Sequence, residues 1–304
     1  MEEIMNEKII VTDIEHIGDP FTLNYCGKYY VYATSAGDGF KVFVAEDESL
    51  KKLTEVGYCY RNCPWGINSY WAPEVIHYKG KFIMHYTCRW KETNSLRMST
   101  AIANSPLGPF IDVQDTPVFE FGYAAIDGTC FVDDDGQGYF FYSRDCSENM
   151  IGDYHVSQIY GVKLNDALTH PVGEPVLLST PETEWEHKSG KWLWNEGPAM
   201  LKHNGKYYLS YSANCYKELE YSVCYSVADS PLGKYVKAEE NPILRYVENE
   251  FSGPGHNAYF YDNNGQLMTS FHIHSDYGKG GGDRKICFCK AYFDENDKLV
   301  IDYK

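Results

Sequence analysis

The sequence predicts an all-β chain built as a five-bladed β-propeller. Three observations predict it: a Gly-plus-aromatic strand motif recurring five times, an aromatic share of 16% with 27 Tyr among 304 residues, and no convincing amphipathic helix. Aromatic and β-branched residues suit pleated, half-buried strands. A long repeat made of about four short strands is the sequence signature of a propeller blade. A β-sandwich does not explain such a repeat occurring five times.

The repeats begin at Gly27 (GKYYVYAT), Gly80 (GKFIMHYT), Gly136 (GQGYFFYS), Gly205 (GKYYLSYS) and Gly265 (GQLMTSFH), with spacings of 53, 56, 69 and 60 residues. Each follows a short apolar-alternating run and a turn, as in FTLNYCGK, MLKHNGK and YFYDNNGQ. That is a β-hairpin pattern, in which Gly, Asn and Asp supply the positive-φ positions. The second and fourth repeats share a further echo, SPLG after Asn104 and after Asp229. The acidic run Asp133 to Asp135 lacks the calcium-loop pattern and reads as a solvated hairpin turn.

Composition narrows the function classes. A net charge of −16, with no run of Lys or Arg, argues against nucleic acid or an anionic membrane surface as partner. A neutral small substrate or a neutral polymer fits better; the aromatic residues suit a sugar-binding surface, although any one Tyr reads first as a strand residue. Met1–Ile10 (MEEIMNEKII) carries two early glutamates and no apolar stretch suited to a leader, which suggests a cytoplasmic protein. The ten cysteines show no paired zinc spacing, and several lie in strand-like runs where a thiol acts as a small core residue.

Ahead of the five hairpin glycines stand Asp19, Glu74, Asp127, Glu196 and His256. In a propeller the first strand of each blade lines the central channel. Five titratable side chains from distant segments are therefore expected to converge at one mouth. Turn capping accounts for one or two of them, but not comfortably for all five.

The segments around these residues resemble glycoside hydrolase family 43, the β-xylosidases, α-L-arabinofuranosidases and arabinanases. The matching stretches are Gly18-Asp19-Pro20, Tyr70-Trp71-Ala72-Pro73-Glu74, Ile126-Asp127-Gly128, Asn195-Glu196-Gly197-Pro198 and Gly253-Pro254-Gly255-His256, in order from about Ile14 to the end. The resemblance implies Asp19 as general base, Glu196 as general acid and Asp127 as the carboxylate that orients the acid and keeps its pKa high. It also implies inversion of the anomeric centre, with base and acid roughly 6.5–9.5 Å apart. Two nearby carboxylates cannot both ionise freely, which independently favours one protonated acid. Gly18 stands where the family usually has Ala, a change expected to be harmless.

Several residues carry two readings. Phe21, Trp71 and Trp194 are candidate walls of a sugar subsite, although Phe21 and Trp71 read equally as core. Glu74 is either a substrate contact or a structural partner for a neighbouring strand. By resemblance, Arg284 hydrogen-bonds pentose hydroxyls, or it is a surface ion-pair residue. His256 is either a satisfied channel histidine or, by the same resemblance, the holder of a hydrated structural calcium ion in the channel. No cofactor is required for the chemistry.

The expectation is a single catalytic domain spanning 1–304 without a C-terminal β-sandwich. It would be an exo-acting, inverting α-L-arabinofuranosidase or β-xylosidase acting on pentose-containing, plant-derived oligosaccharides. The alternatives are an endo-arabinanase, which needs an open groove, and a non-catalytic carbohydrate-binding propeller, which has no need of three carboxylates. The oligomeric state leaves no mark in the sequence.

Overall fold

The computed structural model describes residues 8–304. Most of the Met1–Ile10 stretch lies outside the described residues. The protein is all-β. Its described helical structure is one 3-10 turn at Glu184–His187.

Five antiparallel sheets follow one another along the chain. Sheet I holds Gly18–Tyr25, Lys28–Thr34, Gly39–Ala45 and Leu53–Arg61. Sheet II holds Gly66–Tyr78, Lys81–Trp90, Leu96–Ala103 and Ile111–Asp112. Sheet III holds Ala125–Val132, Gly138–Arg144, Gln158–Leu164 and Pro171–Ser179. Sheet IV holds Asn195–His203, Lys206–Ala213, Ser222–Ala228 and Val236–Lys237. Sheet V holds Gly255–Tyr261, Leu267–His274 and Arg284–Phe293, and its outer edge is filled by Ile10–Glu15. Leu299–Ile301 also pairs with Arg284–Phe293, so both ends of the described chain meet in one sheet. The five hairpin glycines sit between first and second strands with φ of +75 to +84, a conformation that costs glycine little.

The sheets pack face to face through aromatic layers. Tyr32, Phe40, Trp65 and Tyr86 fill the space between sheets I and II. Phe119 and Phe140 stack at 4.0 Å between II and III, and Phe141, Leu209 and Tyr211 join III to IV. Val223, Phe271 and Cys287 join IV to V, while Val31, Phe43, Phe260 and Phe288 join V back to I. Fully burying such a side chain is worth about 1.5–3 kcal/mol. The first strands of the five sheets likewise touch in a closed cycle from I to V and back to I.

Each first strand is interrupted at the same register. The irregularities fall between Gly18 and Phe21, Trp71 and Glu74, Ile126 and Thr129, Glu196 and Ala199, and Gly255 and Ala258. A bulge re-aims a side chain, and such features gather next to active sites. The first residue inside each interruption has left-handed φ: Asp19 at 56°, Ala72 at 42°, Asp127 at 59°, Gly197 at 54° and His256 at 49°. These five share one register position. The expected convergence of five equivalent titratable residues is corrected accordingly: Glu196 lies one residue ahead of that position and Glu74 two behind it.

A small sixth sheet stands apart from this plan. Met150–Ile151 pairs antiparallel with Tyr154–Val156, which pairs in parallel with Trp192–Leu193.

Candidate active site

The bulged ends of the first strands open onto a cavity of about 300 Å³ lined by Asp19, Trp71, Asp127, Trp194, Glu196, His256 and Arg284. Seven of the nine residues expected from sequence are thus gathered at one site. Phe21 and Glu74 are not. Both occupy the register position two residues past the bulge residue, deeper along the strand. Phe21 packs against the Tyr32 and Phe40 layer and lines a separate cleft with Val75 and Tyr259. Glu74 is buried outside the cavity lining, where burial pushes its pKa up to about 8 and the Asp127 charge adds to the rise, with a bond to Thr129 opposing both. Trp71 lines the cavity and also packs on Leu96, Ala124 and Ile126.

Asp19 is held ionised. Arg284 donates Nη1 to its Oδ1 at 2.6 Å, and Thr34 donates Oγ1 to its Oδ2 at 2.6 Å. His256 Nδ1 lies 3.3 Å from Oδ1, and His272 Nδ1 accepts the Asp19 backbone N–H at 3.1 Å. Burial pushes the carboxyl up, but Arg284 foremost, with His256 and the Thr34 hydroxyl, overrides it and holds its pKa well below the usual carboxylate range. Arg284 is therefore not a surface ion-pair residue: its side chain is about 12% exposed and locked between Asp19 and the ring of Tyr216, 4.9 Å away.

Gly18 has a role that its small size conceals. A Cβ there would lie 2.1 Å from Arg284 Cζ. The missing methyl leaves the space that the guanidinium occupies beside Asp19.

Glu196 has the opposite environment. Burial raises its pKa well above the ordinary value, the negative charge of Asp127 adds to that, and the Tyr221 hydroxyl at 2.9 Å from Oε1 opposes it. Asp127 stands between the two extremes at about 6, raised by burial and by Asp19, and lowered by His256 and the Gly197 N–H at 3.2 Å from Oδ2. One cavity thus holds an ionised carboxylate, a protonated carboxylic acid and a third carboxyl that biases the second.

The residues facing His256 do not form a direct calcium cage. Calcium takes six to eight oxygens. Among the described residues no three His, Cys, Asp or Glu side chains are grouped to hold an ion, and the Asp19 oxygens are already engaged by Arg284 and Thr34.

Sequence reading missed Thr34, Arg89, Asp145, Tyr216, Tyr221 and His272. Arg89, Asp145, Tyr216 and Tyr221 line the cavity. Tyr216 and Tyr221 are two among 27 Tyr, with nothing local to mark them. Thr34 and His272 did leave a signal, because each lies seven residues after a hairpin glycine, as do Thr87, Ser143 and Ser212.

Comparison with known proteins places the chain in a family. The model of glycosyl hydrolases family 43 matches residues 14–299, and the chain belongs to that family of glycosidases. A xylosidase/arabinosidase of Humicola insolens is 26% identical, covering 96% of this chain and 98% of that protein. A β-D-galactofuranosidase of Aspergillus niger is 24% identical, covering 93% of this chain and 81% of that protein. Among solved structures, a thermostable family-43 glycoside hydrolase superposes with a TM-score of 0.92 at 39% identity, covering 98% of this chain and 96% of that one. An endo-1,4-β-xylanase from Bacteroides thetaiotaomicron follows with a TM-score of 0.83 at 30% identity, covering 96% of each chain.

Proposed function

We propose that this glycosidase is an inverting, exo-acting α-L-arabinofuranosidase or β-xylosidase acting on pentose-containing oligosaccharides. Asp19 serves as general base and Glu196 as general acid. The observation that carries the reading is the split protonation of two carboxyls in one cavity. Asp19, held ionised by Arg284, accepts a proton from water as that water attacks the anomeric carbon. Glu196, kept protonated by burial and by Asp127, gives its proton to the leaving oxygen in the same step. Inversion requires room for the water between them, a carboxyl separation of roughly 6.5–9.5 Å.

Exo action is supported by the cavity, whose 300 Å³ lies at the small end of ligand pockets and suits the end of a chain better than its middle. We further propose that the five sheets are the blades of one five-bladed propeller within a single catalytic domain. The closed cycle of first strands and of apolar layers supports this. The proposed reaction requires no dissociable metal, and activity that survives chelation would agree with it. A cytoplasmic location belongs to the same proposal; the ten free thiols are compatible with a reducing compartment, and cell fractionation tests it.

The test is product analysis. Aryl α-L-arabinofuranosides, β-xylosides and β-galactosides are incubated with enzyme, and the first-formed anomer is read by proton NMR. Release of one pentose with inverted configuration, abolished in Asp19→Asn, supports the assignment. Retention of configuration, or release of internal fragments from arabinan ahead of monomer, overturns it.

A further inference from the structure

The small sheet outside the five large ones presents one exposed face whose residues are fixed by register. Register partners share a face, and so do residues two apart in an extended run. His155 pairs with Met150 on one side and with Trp192 on the other, and Trp194 lies two residues beyond Trp192. Met150, His155, Trp192 and Trp194 therefore form one row. The opposite face turns Val156 and Leu193 into the protein, where both are buried, and leaves Ile151 and Tyr154 exposed at its outer end.

The row is ordered and partly open to solvent. The rings of His155 and Trp192 lie parallel at 3.7 Å, and Trp192 and Trp194 are 6.0 Å apart at 21°. His155 Nδ1 is 3.1 Å from the carbonyl oxygen of Cys146, a residue of the cavity wall. Trp192 is 40% exposed and Met150 53% exposed, although large apolar side chains at a surface are ordinarily scattered singly. At its inner end the row enters the cavity through Trp194, two residues from Glu196.

We propose that this row binds the leaving-group side of an oligosaccharide, the one or two sugar rings beyond the bond being cut. The inference rests on Glu196 as the general acid. The acid must touch the oxygen of the departing sugar, so the departing chain lies on the Glu196 side of the cavity. That is where the row begins. Sugars present C–H faces that pack on aromatic rings while their hydroxyls stay solvated, and a face of two Trp, one His and one Met matches that chemistry better than a charged or dry apolar partner.

The experiment compares Trp192→Ala and His155→Ala with the wild-type enzyme on two kinds of substrate. On 4-nitrophenyl pentosides the aryl group replaces the departing sugar; on α-1,5-arabinotriose and β-1,4-xylotriose the row is engaged. The expected result is that kcat/KM on the cleaved trimer falls about tenfold further than on the aryl substrate, mainly through KM, in line with the strength of aromatic contacts. In parallel, both trimers are titrated into Glu196→Gln and into Glu196→Gln carrying Trp192→Ala, followed by intrinsic tryptophan fluorescence and calorimetry. The second protein should bind about tenfold more weakly. Equal losses on both substrate types, or unchanged trimer binding, overturn the row as a leaving-group site. Absence of turnover on every pentoside by the wild-type enzyme overturns the proposed specificity instead, and the titration still decides the row.

Discussion

His272 Nδ1 accepts the backbone N–H of Asp19 at 3.1 Å, and this bond is one of a set. In the same way Thr34 accepts the N–H of Ala72 at 2.9 Å, Thr87 that of Asp127 at 3.1 Å and Ser212 that of His256 at 2.7 Å. Each bond ties the bulge of one first strand to the second strand of the preceding sheet. At the fifth junction Gly197 donates to Asp127 instead, leaving the Ser143 hydroxyl buried without a partner. The site breaks the repeat twice. Asp127 takes over the tie beside the acid, and an imidazole replaces a hydroxyl beside the base.

The imidazole has a second contact that a hydroxyl lacks. Its ring lies parallel to Tyr221 at 5.6 Å, and Tyr221 donates to Glu196. Burial, reinforced by Arg284, holds the His272 pKa well below the ordinary value, so the ring stays neutral and its Nδ1 stays an acceptor. His272→Thr restores the hydroxyl of the other junctions and should fold, with a melting temperature near wild type. Water admitted beside Tyr221 should then ease the desolvation of Glu196 and move the alkaline limb of kcat/KM to lower pH. His272→Ala leaves the Asp19 N–H unpaired and should cost about 1–3 kcal/mol of stability. Thermal melts and pH profiles of the pair separate the tie from the ring; identical behaviour of the two variants would remove the distinction.

Gly18→Ala tests how closely Arg284 must sit. The added methyl meets the guanidinium, and a shift of Arg284 away from Asp19 relieves the contact. Asp19 then loses its principal counter-charge while remaining buried, so its pKa rises. The acid limb of kcat/KM should move to higher pH, and kcat/KM at pH 5 should fall about tenfold or more. An unchanged acid limb would show that Arg284 does not set the ionisation of Asp19.

The hairpin glycines made the five repeats legible, because a positive φ at a two-strand turn is a local demand that leaves a local mark. Asp19, Asp127, Glu196 and His256 were legible as candidate site residues for a related reason: a polar group heading an otherwise apolar strand needs an explanation; Arg284 was a candidate by family resemblance alone. The misplacement of Glu74 came from the bulge. One interruption between Trp71 and Glu74 changes which residue faces the cavity, and nothing in WAPE announces it. The Met150–His155–Trp192 row was illegible because its strands are two or three residues long and one pairing joins segments some 37 residues apart. Asp133 departs from its reading as a solvated turn, since it accepts the Tyr207 hydroxyl at 2.6 Å and ties sheet III to sheet IV.

Glu74 should make the protein less stable as pH rises. Its folded pKa is raised from 4.5 to about 8, so the folded state keeps a proton that the unfolded state releases. The associated stability is full below about pH 4.5 and is lost progressively toward pH 8. Glu74→Gln removes the titration while keeping the shape and a hydrogen-bonding partner for Thr129. The variant should be more stable than wild type at pH 8, by an amount on the order of 3 kcal/mol, and should match it near pH 4. Denaturant melts at the two pH values measure this, and a difference that does not grow with pH would contradict it.

Asp127→Asn isolates the influence of the third carboxyl on the acid. The amide oxygen can still accept the Gly197 N–H, and the backbone tie to Thr87 is untouched, so the geometry should hold. What disappears is a negative charge that helps to keep Glu196 protonated. The Glu196 pKa should fall, and the alkaline limb of kcat/KM should move to lower pH. Rates on oligosaccharides, whose departing alkoxide needs a full proton, should drop about 100-fold at pH 7. Rates on 4-nitrophenyl glycosides should drop less, since that leaving group departs with little protonation. If both substrates lose rate equally and the alkaline limb stays in place, Asp127 acts through the position of the substrate and not through the protonation of Glu196.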